Sequence, residues 1–379
     1  LPILGSVTGT GEMAQGAGAS EERDEGKGDS EEVERVLYVD PMEIELGYGL
    51  IPLVDPSQGG DLLNRITMIR RQVASDLGLL VPPIRIRDNM ALESNDYVIK
   101  IKGIEVSSGS LHLDSFLAMN PGNVEGDLPG IKTHEPAFGL PAVWISQAQK
   151  ENAEMMGYTV VDTLSVLATH LTEEVHSHAH ELINRQEVQR LVDNAKTFAS
   201  AVIEELIPNI LTLGQVLKVL QNLLKERIPI RDIVTILETL ADYATTVKES
   251  EVLTEYVRQG LARTISKQYQ DEEKTIFVIT LDSKVDQMLS ESLIKDEFGQ
   301  RIVIRPATVR KILDEVNGFV EQASQKGVQV VILTSSSLRL YLRQLIERSL
   351  PRLPVLSFNE IASNIRIESL GAISSEVLM

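Results

Sequence analysis

The chain has 379 residues, a net charge of -19 at pH 7 and no cysteine. This length exceeds what a single core usually serves, so we expect roughly two to four domains. An acidic chain is repelled by phosphate backbones and anionic membranes, and only 4% of the residues are aromatic. The composition therefore argues against nucleic-acid binding and favours protein partners. The absence of cysteine excludes disulfides, thiolate nucleophiles and thiolate metal sites.

Residues 1–35 are predicted to be a flexible acidic linker. Glycine, alanine and serine dominate up to Ser20, a charge-rich run follows, and apolar periodicity begins only at Val36. Because the chain begins with Leu1 instead of Met, we expect it to be a piece of a longer protein. No stretch approaches the roughly 20 apolar residues of a transmembrane helix, and no signal peptide is indicated.

The segment after the linker has mixed α/β patterning. Short strands are predicted over 36–51, a helix over 61–79, and alternating strands at 84–87 and 97–102. A second unit begins near Leu113 and contains the run Phe138–Ile145, a short helix and a strand at 158–161. Phe138 precedes Gly139 and Pro141, which predicts an irregular segment at the aromatic residue.

The remaining chain is predicted to be helical and then α/β. Asp162 or Thr163 caps a long helix that runs to about Leu182. Residues 183–262 have helical periodicity throughout. Residues 275–379 alternate strand and helix, which predicts a parallel or mixed sheet.

Catalytic motifs are weak in this sequence. The glycine-rich stretch 9–18 lacks the phosphate-loop pattern, and the serines at 335–337 lack a nucleophile elbow. On a helical wheel, one side carries an apolar stripe made of Leu164, Leu167, Leu171, Val175, His178 and Leu182. The opposite side carries Thr169, Glu173, His176 and His180.

Two interpretations of that opposite side are open. Glu173, His176 and His180 have the i, i+3, i+7 spacing that could hold one divalent metal, as in a metal-dependent hydrolase. A solvated polar face is the simpler interpretation, because no second carboxylate or histidine cluster supports a metal. His178, on the apolar stripe, is expected in or beside the core with a hydrogen bond.

Several motifs resemble one known family, and they cover almost the whole chain from residue 36. They include GYGLIPL at 47–53, GGDLL at 59–63, IRIRDN at 84–89, LAMNP at 117–121, EPAFGLPAVWI at 135–145, GYTVVD at 157–162, ATHL at 168–171, HAHEL at 178–182, RQE at 185–187 and IRDIVTILETL at 230–240. This series resembles the cytoplasmic part of the FlhA/InvA/SctV family of type III secretion export-gate proteins. The run at 135–145 favours the flagellar branch over the virulence branch.

The resemblance implies a location and an assembly. The whole protein would be a multi-pass membrane protein, with this part at the cytoplasmic face of the bacterial inner membrane. The cytosolic parts would form a homo-oligomeric ring, expected to be nonameric, below the export gate. Residues 1–34 could dock on a neighbouring subunit of that ring.

The resemblance also implies partners and a role. The expected partners are flagellar export chaperones with their cargo, the export ATPase complex (FliH, FliI and FliJ) and the FlhB cytoplasmic domain, with no nucleic acid. The implied function is a docking platform, not an enzyme, and no cofactor is expected. The metal-dependent hydrolase that uses Glu173, His176 and His180 is the alternative.

The family's chaperone site is a hydrophobic dimple between its first two subdomains, built on an acidic residue, a phenylalanine and a threonine. These positions correspond to Glu135, Phe138 and Thr169. The acidic position carries aspartate in the enteric proteins, so glutamate keeps the charge and extends its reach by one methylene.

The implied fold class is α/β and α+β multidomain, with four small subdomains after the linker. A first α/β subdomain is formed by residues 36–112 and 163–182, and an inserted α+β subdomain by residues 113–162. An all-helical subdomain spans residues 183–262, and a C-terminal α/β subdomain spans residues 263–379.

Overall fold

The computed structural model describes residues 39–122, 124, 126–296 and 299–378. The linker predicted over residues 1–35 lies outside them. The described residues form mixed α/β units, as predicted from the sequence. None of their helices has both the length and the apolar character needed to cross a membrane. The subdomain boundaries given above stay a prediction.

The first sheet has the strand order β2-β1-β3-β4. Its elements are β1 (Met42–Leu46), α1 (Leu62–Leu77), β2 (Ile84–Asp88), β3 (Asp96–Ile101) and β4 (Ile104–Ser110). β1 and β2 are parallel and are joined through α1, whereas β3 runs antiparallel to both β1 and β4. The buried face of α1 has the predicted helical spacing, with Leu62, Ile66, Ile69, Val73 and Leu77.

The prediction of strands up to residue 51 was wrong beyond β1. A 3-10 helix, Tyr48–Leu53, follows the strand at once. Gly47 lies so close to the loop before β3 that a Cβ atom would come within 2.1 Å of the Glu93 carbonyl oxygen. Backbone contact of this kind cannot be read from hydrophobic alternation, since it depends on a segment over forty residues away.

The second sheet is antiparallel and has the order β6-β7-β5-β8. Its elements are β5 (Ser115–Met119), β6 (Ile131–His134), β7 (Pro141–Ser146), α2 (Lys150–Met155) and β8 (Thr159–Asp162). Residues alternate between its two faces, so Val143 packs in a small local core while Trp144 joins the main core. The Trp144 ring meets the His112 ring edge-on at 5.4 Å, so this tryptophan is structural.

A series of helices follows the second sheet: α3 (Thr163–Ser177), α4 (Ala179–Leu182), α5 (Arg185–Lys196), α6 (Ser200–Leu206), α7 (Leu213–Lys225), α8 (Ile233–Tyr243), α9 (Ser250–Gly260) and α10 (Ala262–Tyr269). The Asp162 carboxylate caps α3 by accepting the Ser165 amide at 2.9 Å, as predicted. The helix predicted to reach Leu182 is interrupted at His178. α3 packs against α1, so the main core is continuous from the first sheet into these helices.

The last unit is built on a parallel sheet of order β13-β12-β9-β14. Its elements are β9 (Thr275–Leu281), α11 (Ser283–Glu291), the hairpin β10 (Leu293–Asp296) and β11 (Gly299–Ile302), α12 (Pro306–Gln325), β12 (Val330–Thr334), α13 (Arg339–Ile346), β13 (Val355–Ser357) and β14 (Arg366–Ile373). One side of its sheet packs in a hydrophobic core of its own, and the other side, with Ile276, Val278, Val331, Leu333 and Leu356, joins the main core. The predicted strand–helix alternation is confirmed.

A buried charge cluster joins the helical series to this last unit. It consists of Glu226, Glu255 and Arg258 from the helices and Arg339, Arg343 and Glu360 from the last unit. Arg258, Arg339 and Glu360 are 1%, 0% and 0% exposed. Arg258 Nε lies 2.7 Å from Glu360 Oε1, and Arg339 binds both Glu226 oxygens, at 2.7 and 3.1 Å. Such paired geometry is what makes buried charges tolerable.

The pKa values of Glu226 and Glu255, two of the glutamates that pair with Arg339, shift in opposite directions. Burial alone would raise the pKa of Glu226, but the guanidinium groups of Arg258 and Arg339 outweigh it and hold this pKa at about 2. For Glu255 burial prevails over Arg339, and the pKa is raised. The arginines therefore keep Glu226 in its charged form, whereas burial opposes the charge of Glu255.

Replacing Arg339 with methionine should strongly destabilise the protein. The substitution leaves Glu255 buried without its arginine and takes from Glu226 its two shortest bonds, and breaking a buried pair in this way typically costs about 3–5 kcal/mol. Urea unfolding followed by circular dichroism measures the loss. The exposed Arg348 makes no ion pair with the described residues, and Arg348→Ala serves as the control, with an expected change within about 0.5 kcal/mol. A loss below about 1 kcal/mol for Arg339→Met, as for a surface pair, would contradict this role.

Acid should weaken the same junction. Because the pKa of folded Glu226 lies below its ordinary value of 4.5, its stabilisation is complete above that pH and is lost as the pH falls toward 2. The difference in unfolding free energy between the native chain and Glu226→Gln should therefore shrink between about pH 4.5 and pH 2. A difference that stays constant over this range would show that the Glu226 charge is not what stabilises the junction.

Candidate functional site

The loop between β6 and β7 contains two of the three residues predicted to bind a partner. The amide of Glu135 donates to the Leu140 carbonyl at 2.8 Å, and the amide of Gly139 donates to the Glu135 carbonyl at 2.9 Å. Gly139 has a φ of 72°, a left-handed conformation that glycine adopts without strain. These bonds close residues 135–140 into a tight loop, which we call the docking loop.

The carboxylate of Glu135 points into the docking loop. One oxygen accepts the Ala137 amide at 2.8 Å and the other accepts the Phe138 amide at 2.7 Å. Glu135 is only 3% exposed. The carboxylate thus fixes the backbone that carries Phe138, and the binding of a partner by Glu135 stays a prediction.

Phe138 is presented at the surface of the docking loop. It is 50% exposed, Leu140 beside it is 42% exposed, and the irregular backbone at Phe138 is as predicted. The guanidinium of Arg352 lies 5.0 Å from the centre of the Phe138 ring, and its Nη2 donates to the Ala137 carbonyl at 2.6 Å. The loop is thus rigid in its backbone and apolar at its tip.

Thr169 is exposed on α3, on the side that the helical wheel predicted. Glu173 lies one turn further along this helix, and Arg352 Nη2 joins its carboxylate, at 3.1 Å, to the docking loop. Residues four apart on a helix are neighbours. The structure therefore places the docking loop beside the part of α3 that carries Thr169 and Glu173.

A buried polar chain runs along α3 beneath this surface. Tyr97 Oη lies 2.6 Å from His170 Nδ1, and Glu174 lies 3.4 Å from His170 Nε2 and 3.3 Å from His178 Nδ1. Although burial opposes it, the two histidines hold the pKa of Glu174 at about 2. Glu174 in turn raises the pKa of His178, and burial together with the nearby Glu135 raises that of Tyr97. His178 is hydrogen-bonded beside the core, as expected, whereas the buried His170 was missed.

The proposed metal ligands do not form a metal site. Glu173 is 8% exposed, and Arg227 binds its carboxylate at 2.7 and 3.2 Å, in addition to Arg352. Burial lowers the pKa of both His176 and His180. Across the described residues, no group of three histidine, aspartate or glutamate side chains could hold an ion. The solvated-face interpretation was also wrong for Glu173, because it is a buried ion-pair partner.

Arg352 and Arg227 are the residues of this region that the sequence analysis missed. Arg352 lies 215 positions from Ala137, and Arg227 lies 54 positions from Glu173. A single sequence gives no spacing signal for contacts at such separations. Only the fold brings these side chains to the site.

Comparison with known proteins identifies the family. The FHIPEP family matches residues 6–366 of the chain. The flagellar biosynthesis protein FlhA of Bacillus subtilis is 48% identical over 343 residues, which is 90% of this chain and 51% of that protein. FlhA of Treponema pallidum is 41% identical over 90% of the chain and 48% of its own length. The chain thus spans about half the length of these relatives.

Solved structures with the same fold belong to type III secretion. The CdsV protein of Chlamydia pneumoniae superposes with a TM-score of 0.78 at 28% identity, covering 89% of this chain and 98% of that one. CdsV in complex with CdsO gives a TM-score of 0.75 at 27% identity and the same coverage. The nonameric SctV-C of EPEC gives 0.71 at 25% identity, with 88% and 98% covered. By sequence and by fold, this chain belongs to the FHIPEP family, the export-gate family of type III secretion that includes FlhA and SctV.

Proposed function

We propose that this chain is a docking platform of the flagellar type III export gate, which receives export chaperones together with their cargo. The family membership supports a role in type III export, and two relatives that are 48% and 41% identical to the chain are flagellar FlhA proteins. The observation that carries the proposal is the docking loop, which holds an apolar side chain at the surface by hydrogen bonds to its own backbone.

Phe138 is the anchor of the proposed contact. Half of this ring is open to solvent, and its covering by a partner would contribute about 1–3 kcal/mol. The loop bonds fix the ring's backbone before any partner arrives, so little conformational entropy is lost on binding. Leu140 widens the apolar surface, and the exposed Thr169 offers a hydroxyl at its edge.

Glu135 acts in this proposal as a positioning residue. Both of its carboxylate oxygens accept amides of the docking loop, so a partner would meet Phe138 and not the acid itself. An ionised carboxylate accepts stronger hydrogen bonds than a neutral group does. Glu135 would then affect docking indirectly, because it holds Phe138 in position.

Further partners are proposed from the assemblies of the neighbours. The nonameric SctV-C supports a ring of nine copies, and the CdsV–CdsO complex supports the binding of a further protein. We propose that the export ATPase complex of FliH, FliI and FliJ is such a partner here. The FlhB cytoplasmic domain completes the proposed set. The platform would lie at the cytoplasmic face of the inner membrane, and it would act by binding instead of by catalysis.

Replacing Phe138 with alanine should weaken docking without unfolding the chain. Loss of the anchor should reduce affinity for a purified flagellar chaperone–cargo complex roughly tenfold or more, measured by calorimetry with proteins from one organism. Phe198→Ala is a matched control, because Phe198 is 72% exposed and lies in the turn between α5 and α6. Equal affinity of the native chain and Phe138→Ala, with both folded, would refute the proposed site.

Replacing Glu135 with glutamine should loosen the docking loop. Glutamine has one acceptor oxygen, so one of the buried amides of Ala137 and Phe138 loses its partner, which costs about 1–3 kcal/mol. Amide hydrogen exchange should accelerate at residues 137 and 138. Glu321→Gln, on the exposed side of α12, should leave those amides unchanged. Unaltered exchange in Glu135→Gln would show that the carboxylate does not hold the loop.

A further inference from the structure

Arg352 connects the last unit to the docking loop and to α3 at once. It lies between α13 and β13, and its guanidinium covers the Phe138 ring at 5.0 Å. The same group donates to the Ala137 carbonyl at 2.6 Å and pairs with Glu173 at 3.1 Å. One half-exposed side chain thus occupies part of the surface that a partner would use.

Arg343 of the charge cluster holds the backbone on both sides of Arg352. Arg343 Nη1 donates to the carbonyls of Leu350 and Leu353, at 3.3 and 3.0 Å, and its Nη2 donates to the Pro351 carbonyl at 2.8 Å. These carbonyls belong to the short segment that carries Arg352. Its backbone is therefore attached to a buried arginine, whereas its side chain is half exposed.

Glu173 can release Arg352 without being left as an unpaired buried charge. Its carboxylate is also bound by Arg227, whose Nη2 lies 2.7 Å from Oε1 and 2.8 Å from Ser177 Oγ. A buried carboxylate that lost its only partner would be strongly unfavourable. With Arg227 in place, the second ion pair can break while Arg352, whose side chain is 49% exposed, returns to water.

We infer that Arg352 is an intramolecular competitor for the docking site. It covers one side of Phe138 and ties the last unit to the docking loop, so a chaperone–cargo complex that packs on this side must displace it. Pairing with Glu173 sets the strength of this tie. The inference rests on the proposed function, since it concerns regulation of the same site.

The first test is binding. Arg352→Ala should bind the purified chaperone–cargo complex about three- to tenfold more tightly, because a cation–π contact and a partly exposed ion pair no longer compete. Arg348→Ala removes an exposed arginine near the same segment and should not change the affinity. Weaker binding by Arg352→Ala would mean that Arg352 contacts the partner, and unchanged binding would mean that it does not compete. Either result overturns the inference.

The second test needs no partner. The chain has no cysteine, so Met155→Cys and Gln322→Cys allow spin labels to be placed selectively on exposed sites of α2 and α12. Adding Arg352→Ala should lengthen or broaden the distance distribution between the labels, and adding Arg348→Ala should not. An unchanged distribution would overturn the tie between the last unit and the docking loop. If Phe138→Ala left chaperone binding intact, the proposed function would fail, whereas this distance measurement would still decide the tie.

Discussion

The ion pairs between Arg339 and Glu226 and between Arg258 and Glu360 are the constraint on which the arrangement of the units depends. One face of the last sheet, with Ile276, Val278, Val331, Leu333 and Leu356, packs in the main core, and the residues that alternate with them form a second core. Charges that are 0–1% exposed must be met by partners in good geometry, because unpaired buried ions are very unfavourable. Only a narrow set of docking geometries satisfies both arginines together. The cluster thereby fixes an orientation that apolar surfaces, which are not directional, would leave loose.

Arg343 connects the charge cluster to the candidate site. Its donors hold the carbonyls around Arg352, so the cluster and the docking surface belong to one connected set of contacts. Arg352 then meets both Glu173 and the docking loop. Helices, last unit and second sheet thus converge within a few ångströms of Phe138. A shift at any of these contacts would alter how much of that ring is open.

Local chemistry explains which features could be predicted from the sequence. The apolar spacing from Leu62 to Leu77 predicted the buried face of α1, and the capping residue Asp162 predicted the start of α3. The irregular backbone at Phe138 and the exposure of Thr169 also follow from neighbouring residues. The burial of Glu173 does not, since it results from arginines 54 and 179 positions away. A helical wheel shows which side of a helix is polar, but it does not show whether water or an arginine covers that side.

The carboxylate of Glu135 points into the docking loop and not toward solvent, which suggests a structural role for this acid. An exposed carboxylate would attract a cationic partner, but its effect would be small and screened by salt. In the proposed role, a carboxylate that is 3% exposed and accepts two amides would contribute through geometry, which salt does not screen. An exposed aromatic residue on a mobile loop would lose part of its binding energy to ordering and would risk nonspecific association. If Phe138 is the anchor that we propose, fixing the loop from within and covering one ring face with Arg352 would reduce both costs.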